Sequence, residues 1–246
     1  MRGRSAALLA MLVLAGGCGG NGPLAPPSPA GGPGPAPPPP PPAATTWDVD
    51  SLGIPRFVEH DYIDLDRIRS VSRFRSGIGH DYSDALESCR SMKHYFFPVD
   101  SAAAVAARIY SPVDGTVAYT TDEWAGTQVG IRPAAFPAFM IILFHVRLTT
   151  PLAEGQALAS GEPLGTHVGP QTYSDVAVRV ETPGGMRLVS WFDTMTDALF
   201  AGYAARGVPD RAALIISKAE RDADPLTCSG ETFTGPGTLP GWVDLP

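Results

Sequence analysis

The segment from Pro23 to Pro42 limits where this chain can fold, because it consists almost entirely of Pro, Ala and Gly. Such a composition cannot bury a hydrophobic core and favours the extended polyproline II conformation. The segment is therefore predicted to be a semi-rigid spacer with a reach on the order of 60 Å. Only the residues after it, 45–246, have the length and apolar content of a globular domain, and no second linker or internal repeat divides them.

The residues before the spacer have the features of an export signal. A basic start, Met1 to Arg4, is followed by an apolar run from Ala6 to Ala15. The run has the length of a signal-peptide core and is too short to span a bilayer. The following Gly16-Gly17-Cys18 completes a segment that resembles the lipobox of bacterial lipoproteins, although Ala15 stands where that family usually has Leu.

The lipobox resemblance implies cleavage before Cys18 and lipidation of that residue. We then expect residues 1–17 to be the signal peptide, residues 18–44 the lipidated tether and residues 45–246 a single domain. The lipid would anchor the protein to a bacterial membrane in the cell envelope, at the outer membrane or in the periplasm. The alternative is an ordinary secretory signal with an incidental Cys18, and both alternatives export the protein.

Two further cysteines, Cys89 and Cys228, remain once Cys18 is assigned to the anchor. An even number of cysteines in a compartment that permits disulfides predicts that the two are bonded to each other. The alternative is a pair of buried free thiols.

Between Ala107 and Asp193 the domain has a β-rich pattern in which short apolar and β-branched runs are broken by Gly and Pro. Arg108–Tyr110 and Thr116–Tyr119 flank the dipeptide Asp114-Gly115, a combination that predicts a hairpin. The nearly continuous apolar run from Phe139 to Val146 is typical of a central strand.

A second hairpin is predicted from 175–181 and 186–192, around a Pro-Gly-Gly turn. Beyond it the apolar spacing becomes helical over 196–206 and 209–221. The sequence therefore predicts a mainly β domain with an antiparallel sheet at its core and a short helical C-terminal section.

The first candidate site is the pair His80-x-x-x-Asp84. An imidazole and a carboxylate held close together are a usual start for a zinc site, although a His bonded to a nearby Asp is also an ordinary structural feature. The motifs around and after this pair resemble the lysostaphin/LytM-type peptidoglycan endopeptidases, which have the duplicated hybrid motif fold. The resemblance covers residues 75–181 and rests on these segments: Ser111–Val117, Phe144–Leu148, Leu152–Gly165 and Val176–Val180.

The resemblance implies roles for individual residues. His80 and Asp84 match the zinc-binding pair of the family, and His145 matches a middle His that assists catalysis. The family's final His-x-His is absent, because this chain has Asp175 and Ala177 at those positions. Ala177 cannot bind a metal, whereas Asp175 could replace one imidazole as ligand or catalytic group.

Three interpretations of that departure remain open. The preferred one is a degenerate domain that binds or regulates at the peptidoglycan, with a cell-wall glycan, a cell-wall peptide or a partner hydrolase as its ligand. The second is an active zinc endopeptidase in which Asp175, His94 or His167 completes the metal shell. In the third the resemblance is mistaken, and His80 and His145 are ordinary core or surface residues.

Two other classes of function find little support in the sequence. The net charge is −7 and the basic residues are scattered, so nucleic acid is not an expected partner. A nucleophilic hydrolase would need an activated serine, and the chain has no Gly-x-Ser-x-Gly motif. A triad built on Ser83 or Ser91 rests on composition alone.

Overall fold

A computed structural model of the chain describes residues 45–235 and 237–246. The expected signal peptide, the lipidated Cys18 and the tether lie outside the described residues and stay predictions. In the described part, no helix is both long enough and apolar enough to cross a membrane.

Strands dominate the described residues, and the helices are short. The strands are β1 (Ile68–Ser72), β2 (His94–Pro98), β3 (Arg108–Tyr110), β4 (Gly115–Asp122), β5 (Thr127–Pro133), β6 (Phe139–Leu148), β7 (Ala157–Leu158), β8 (Pro163–His167), β9 (Ser174–Thr182), β10 (Gly185–Val189), β11 (Thr227–Ser229), β12 (Thr232–Gly235) and β13 (Trp242–Asp244). The α-helices are α1 (Val49–Leu52), α2 (Ser101–Ala106), α3 (Trp191–Thr194), α4 (Asp197–Ala204) and α5 (Lys218–Ala223). Leu65–Arg67 and Arg211–Leu214 form 3-10 helices.

Eleven of these strands form one sheet, along which the order is β13-β1-β2-β9-β6-β5-β4-β7. β10 also pairs with β9, and β8 pairs with both β3 and β6. Neighbouring strands in the sheet are antiparallel. The prediction of a mainly β domain with an antiparallel core is confirmed.

The central strands β6 and β9 bury both of their faces, which explains why their sequences are almost continuously apolar. One face belongs to the main core, to which Ile141, Leu143 and Val178 contribute. The other face, with Ile142 and Ala177, belongs to a smaller second cluster. The candidate site described below lies on the side of this second cluster.

The two predicted hairpins had different outcomes. The second is confirmed, because β9 and β10 pair across a turn that brings Thr182 opposite Gly185. The first is wrong, since β3 pairs with β8 and β4 pairs with β5 and β7. The side chain of Asp114 accepts a hydrogen bond from the backbone N–H of Ser160 at 2.8 Å. The Asp-Gly segment is thus held by a distant loop and does not close a local hairpin.

The C-terminal helical section is present, but its second helix is interrupted. The helix expected over 196–206 is present as α4, which Thr196 caps, and Gly207 follows with a φ of +85°. The expected continuous helix over 209–221 is wrong, because Ile215 forms a β-bridge with Phe74. Ser217 then begins α5 with a capping box, so the segment is divided between a 3-10 helix and an α-helix.

Cys89 and Cys228 are joined by a disulfide, which confirms the predicted pairing and excludes free thiols. The bond spans a sequence separation of 139 residues. It fastens β11, and with it the β11–β12 hairpin, to the loop that precedes β2.

Two ionisable groups of the domain interior have pKa values displaced in ways that affect stability. Desolvation raises the pKa of Asp61 from 3.8 to about 7, although Tyr203 donates a hydrogen bond to its carboxylate at 2.8 Å. Burial lowers the pKa of His94 from 6.5 to about 4. The His94 ring is held between the Ser72 carbonyl, 2.7 Å from Nδ1, and the Ser190 hydroxyl, 2.9 Å from Nε2.

These displacements predict opposite pH dependences. Between pH 4 and 7 the folded chain keeps a proton on Asp61 that the unfolded chain releases, so stability falls as the pH rises. Between pH 6.5 and 4 His94 is protonated in the unfolded chain but stays neutral in the folded chain, so stability falls as the pH falls. Asp61→Asn should leave stability near pH 4 almost unchanged and raise it by about 2 kcal/mol at pH 8, since partial solvent contact limits the effect.

Urea unfolding from pH 4 to 8 measures this difference directly. In the Asp61→Asn variant the loss of stability with rising pH should shrink, while the His94 contribution, a loss on the order of 3 kcal/mol upon acidification, should remain. Glu59→Gln is the matched control, because Glu59 is an exposed carboxylate two residues away. An Asp61→Asn variant with the same pH profile as the control would contradict the assignment.

Candidate functional site

A cleft of about 630 Å³ lies on the side of the sheet that carries the second cluster. Its walls come from the loop before β2, the turn between β4 and β5, the loop between β8 and β9, and the turn of the β11–β12 hairpin. Its lining residues are Gly79, His80, Tyr82, Lys93, Tyr95, Glu123, Trp124, Gln128, Phe144, His145, Pro170, Gln171, Thr172, Tyr173 and Glu231.

A buried ion pair forms the floor of the cleft. Lys93 Nζ lies 2.6 Å from Asp175 Oδ2, and the two side chains are 2% and 0% exposed. The pairing of β2 with β9 places Tyr95 opposite Asp175. Continuing this register by one residue would place Lys93 opposite Ala177, whose small side chain leaves room for the lysine. The floor therefore contains an ion pair whose two members come from neighbouring segments of the sheet.

His145 reaches the cleft through a β-bulge in β6. Thr127 of β5 pairs with Val146, whereas Val129 pairs with Leu143, so Phe144 and His145 together face one residue of β5. His145 takes a φ of +58°, which is uncommon for a residue other than glycine. Without the bulge, strand alternation would direct His145 to the main core with Leu143; with it, Phe144 and His145 both line the cleft.

The β4–β5 turn packs directly against His145. Gly126 makes this approach possible: it has a φ of +81°, and a Cβ there would lie 2.9 Å from the Val146 carbonyl oxygen. The turn brings the Ala125 carbonyl within 2.9 Å of His145 Nδ1 and Glu123 Oε2 within 3.3 Å of the same nitrogen. Burial raises the pKa of Glu123, and the nearby His145 opposes that rise.

The other ring nitrogen of His145 faces the ion pair. Because Nδ1 lies against a carbonyl oxygen, it must carry a proton, and Nε2 of a neutral ring is then an acceptor. Nε2 lies 3.6 Å from Asp175 Oδ1, a buried atom that accepts no hydrogen bond. An N–H or O–H group from a ligand could donate at this position, and protonation of the ring would also satisfy Asp175.

Tyr95 adds a second polar atom beneath the cleft. Its hydroxyl is buried and lies near Ser91 and the backbone of His80, but makes no hydrogen bond of normal geometry. Buried polar atoms without a partner are unusual in folded proteins, and a water, an ion or a ligand can satisfy them. The floor therefore combines a satisfied ion pair with polar groups that a ligand could engage.

The structure does not bring His80 and Asp84 together. His80 lines the rim of the cleft, with Nδ1 2.9 Å from the Asp81 carbonyl oxygen and 3.6 Å from Glu231 Oε2. Both carboxylate oxygens of Asp84 accept backbone hydrogen bonds at 2.9 Å, from Leu86 and Leu188. Asp84 does not line the cleft. His145 does, and its Nε2 lies 3.6 Å from Asp175 Oδ1, which is fully buried beneath the lining.

The donors present do not fit a zinc ion. A catalytic zinc site needs three protein ligands, and no group of three His, Cys, Asp or Glu side chains in the described residues is arranged to hold a metal. Asp175 is already bonded to a lysine ammonium, Asp84 is engaged by backbone amides, and Ala177 has no ligating atom.

No protein-family model matches the chain, and no curated protein matches it. A solved structure from Ruminococcus gnavus, provisionally described as the glycyl-glycine endopeptidase LytM, is similar with a TM-score of 0.34 and 13% identity. The similarity covers 41% of this chain and 44% of that protein, so the chain spans less than half of its length. At this TM-score the likeness supports no conclusion about function, which must come from the cleft itself.

The other histidines and serines considered from the sequence lie outside the cleft lining or serve structural contacts. His94 does not line the cleft, and both of its ring nitrogens are hydrogen-bonded, to the Ser72 carbonyl and the Ser190 hydroxyl. His167 is buried, and its Nδ1 accepts a hydrogen bond from the Gly169 backbone at 3.3 Å. Ser83 donates to Asp81 at 2.6 Å, and neither it nor Ser91 is hydrogen-bonded to an imidazole in the described part of the chain.

Several cleft residues were not singled out from the sequence. Lys93 has one usable signal, since it is a charged residue at the start of an apolar strand. Trp124 is 76% exposed in a tight turn, and its ring lies 5.7 Å from that of His145. Tyr82 stacks edge-on against Phe144, and burial raises its pKa to about 12. No sequence spacing links these residues, because they come together only when four loops meet.

Proposed function

We propose that this chain is a ligand-binding protein of the bacterial cell envelope whose cleft holds a segment of peptidoglycan. The observation that carries the proposal is the combination of exposed aromatic walls with buried, unpartnered polar atoms at the floor. A cleft of this kind binds ligands that have both apolar surface and hydrogen-bonding groups.

The walls supply the apolar contacts. Trp124 is 76% exposed, so a large aromatic face at the cleft is available for contact with a ligand. Tyr173 stands on the other side and continues into an aromatic group with Phe97 and Trp242, at ring distances of 5.2 and 5.5 Å. Sugar rings and the aliphatic parts of cell-wall peptides could both lie against such faces.

The floor supplies the polar contacts. Asp175 Oδ1 and His145 Nε2 can both accept from a donor placed between them, and the Tyr95 hydroxyl can donate to a ligand oxygen. Peptidoglycan offers amide N–H, hydroxyl and carbonyl groups along its length. The polar atoms of the floor therefore suit an uncharged part of that polymer.

The location expected from the sequence would suit the same assignment. A lipid on Cys18 and a spacer with a reach on the order of 60 Å would let the cleft contact the cell wall while the protein stays on the membrane. A partner hydrolase is a second expected ligand in that compartment. Zinc-dependent cleavage of peptidoglycan is not favoured, because the donors at the cleft do not complete a metal site.

Co-sedimentation with purified peptidoglycan sacculi tests the proposal. The wild-type protein should pellet with sacculi, and Trp124→Ala should weaken binding by about tenfold, as expected for loss of an aromatic contact. Trp124 is exposed, so its removal should leave the fold intact. Leu52→Ala is the matched control, since Leu52 is 63% exposed and does not line the cleft.

Other outcomes of the co-sedimentation experiment would contradict the proposal. Failure of the wild-type protein to pellet would contradict peptidoglycan binding, and equal weakening by the two variants would contradict binding at this cleft. Soluble fragments released from the sacculi in the same tube, and suppressed by a chelator, would instead indicate endopeptidase activity.

A further inference from the structure

The Lys93 ammonium group sits in a cage made of one carboxylate and three aromatic rings. Asp175 Oδ2 is 2.6 Å from Nζ. The ring centroids of Phe144, Tyr82 and Tyr95 are 3.9, 4.8 and 5.3 Å from the same nitrogen. Aromatic faces within about 6 Å attract a cation, and a charge-assisted hydrogen bond to a carboxylate adds to that attraction. The cage therefore has the chemistry of a site for a primary ammonium ion.

We infer that Lys93 is the permanent cation of this cleft and that the cleft works without a metal ion. The negative charge of Asp175 is the one that a bound metal would have to neutralise at the floor, and Lys93 neutralises it from within the chain. The other possible metal ligand near Asp175 is His145 Nε2, and one imidazole nitrogen cannot form a metal site alone. A divalent ion would also be repelled by an ammonium group 2.6 Å from the carboxylate.

The inference does not depend on the identity of the cleft's ligand. It concerns the charge balance of the floor, so it can hold even if the protein binds something other than peptidoglycan. Conversely, peptidoglycan binding could be correct while the floor holds a metal.

The test removes the internal cation and offers another in its place. Lys93→Ala should lower the melting temperature, and ethylammonium chloride at about 50 mM should raise it again by about 2–4 °C relative to sodium chloride, as expected for a weakly bound ion. The wild-type protein should show no such rise because its cage is filled. Lys93→Ala/Asp175→Asn should not respond, because it lacks the carboxylate.

Lys218→Ala is the matched control, since Lys218 is the other lysine of the chain and its side chain is 54% exposed. That variant should melt like the wild type and ignore ethylammonium. A folded Lys93→Ala protein that also ignores ethylammonium would overturn the cage. About one zinc per wild-type chain by elemental mass spectrometry, with a melting temperature lowered by a chelator, would overturn metal independence.

Two measurements on the wild-type protein keep the inference testable if Lys93→Ala does not fold. Reductive methylation followed by peptide mass spectrometry should modify Lys218 readily and leave Lys93 protected. Added zinc chloride should not raise the melting temperature. Equal methylation of the two lysines would overturn the buried ammonium, and stabilisation by zinc would overturn the metal-free site.

Discussion

Lys93→Met is expected to lower the free energy of unfolding by about 3–5 kcal/mol, because it leaves the Asp175 carboxylate buried without its cation. The carboxylate is completely shielded from solvent, and the next nearest ionisable side chain, His145, is 3.6 Å away. Met fills nearly the volume of the lysine stem, so little of the loss should come from a cavity. Guanidinium unfolding at pH 7 measures the effect.

A double-mutant cycle separates the ion pair from packing. Asp175→Leu alone should also be destabilising, because it leaves the Lys93 ammonium buried among aromatic rings without its carboxylate. Lys93→Met/Asp175→Leu removes both charges and should recover much of the stability, because paired buried charges are often replaceable by apolar residues of similar volume. If the two single losses simply add in the double variant, the two groups are not coupled and the ion pair is not a feature of the folded protein.

The parts of the fold that sequence patterns predicted are those in which local signals and burial agree. The run Phe139–Val146 is typical of a strand buried on both faces, and the β9–β10 hairpin has a short turn between alternating segments. The Asp114-Gly115 turn led to a wrong hairpin prediction because the turn is held by a distant segment. The Asp114 side chain accepts a hydrogen bond from the Ser160 backbone. Turn chemistry identifies a reversal of the chain, but not which strands pair after it.

The candidate site was predictable only in part. The family resemblance singles out His145 and Asp175, and the two side chains lie 3.6 Å apart. The position of His145 also depends on a bulge, and a one-residue bulge has no clear signature in an apolar run. His80 and Asp84 have the spacing of a zinc-binding pair. In the folded loop, however, both Asp84 carboxylate oxygens accept hydrogen bonds from backbone amides. Lys93 lies 82 residues from Asp175, so their contact depends on the pairing of β2 with β9.

The second large effect is expected from the disulfide. Cys89→Ser/Cys228→Ser should lower the free energy of unfolding by about 4–5 kcal/mol, since the bond closes a long loop and restricts the unfolded chain. The same bond fastens the β11–β12 hairpin, whose turn residue Glu231 lines the cleft and accepts a hydrogen bond from the Asp81 backbone at 2.7 Å. Loss of the bond should therefore loosen one wall of the cleft.

Stability and binding should separate in this experiment. Denaturant unfolding with and without a reductant measures the first effect, and the serine variant, which has no bond to reduce, is the control for the reductant itself. Binding is then compared at a temperature where both proteins are folded. If the hairpin forms the wall, the variant should bind sacculi more weakly than the wild type while its sheet remains intact by circular dichroism. A variant that is less stable but binds equally well would mean that the disulfide stabilises the domain without shaping the cleft, because the ligand would then contact only the walls provided by Trp124 and Tyr173.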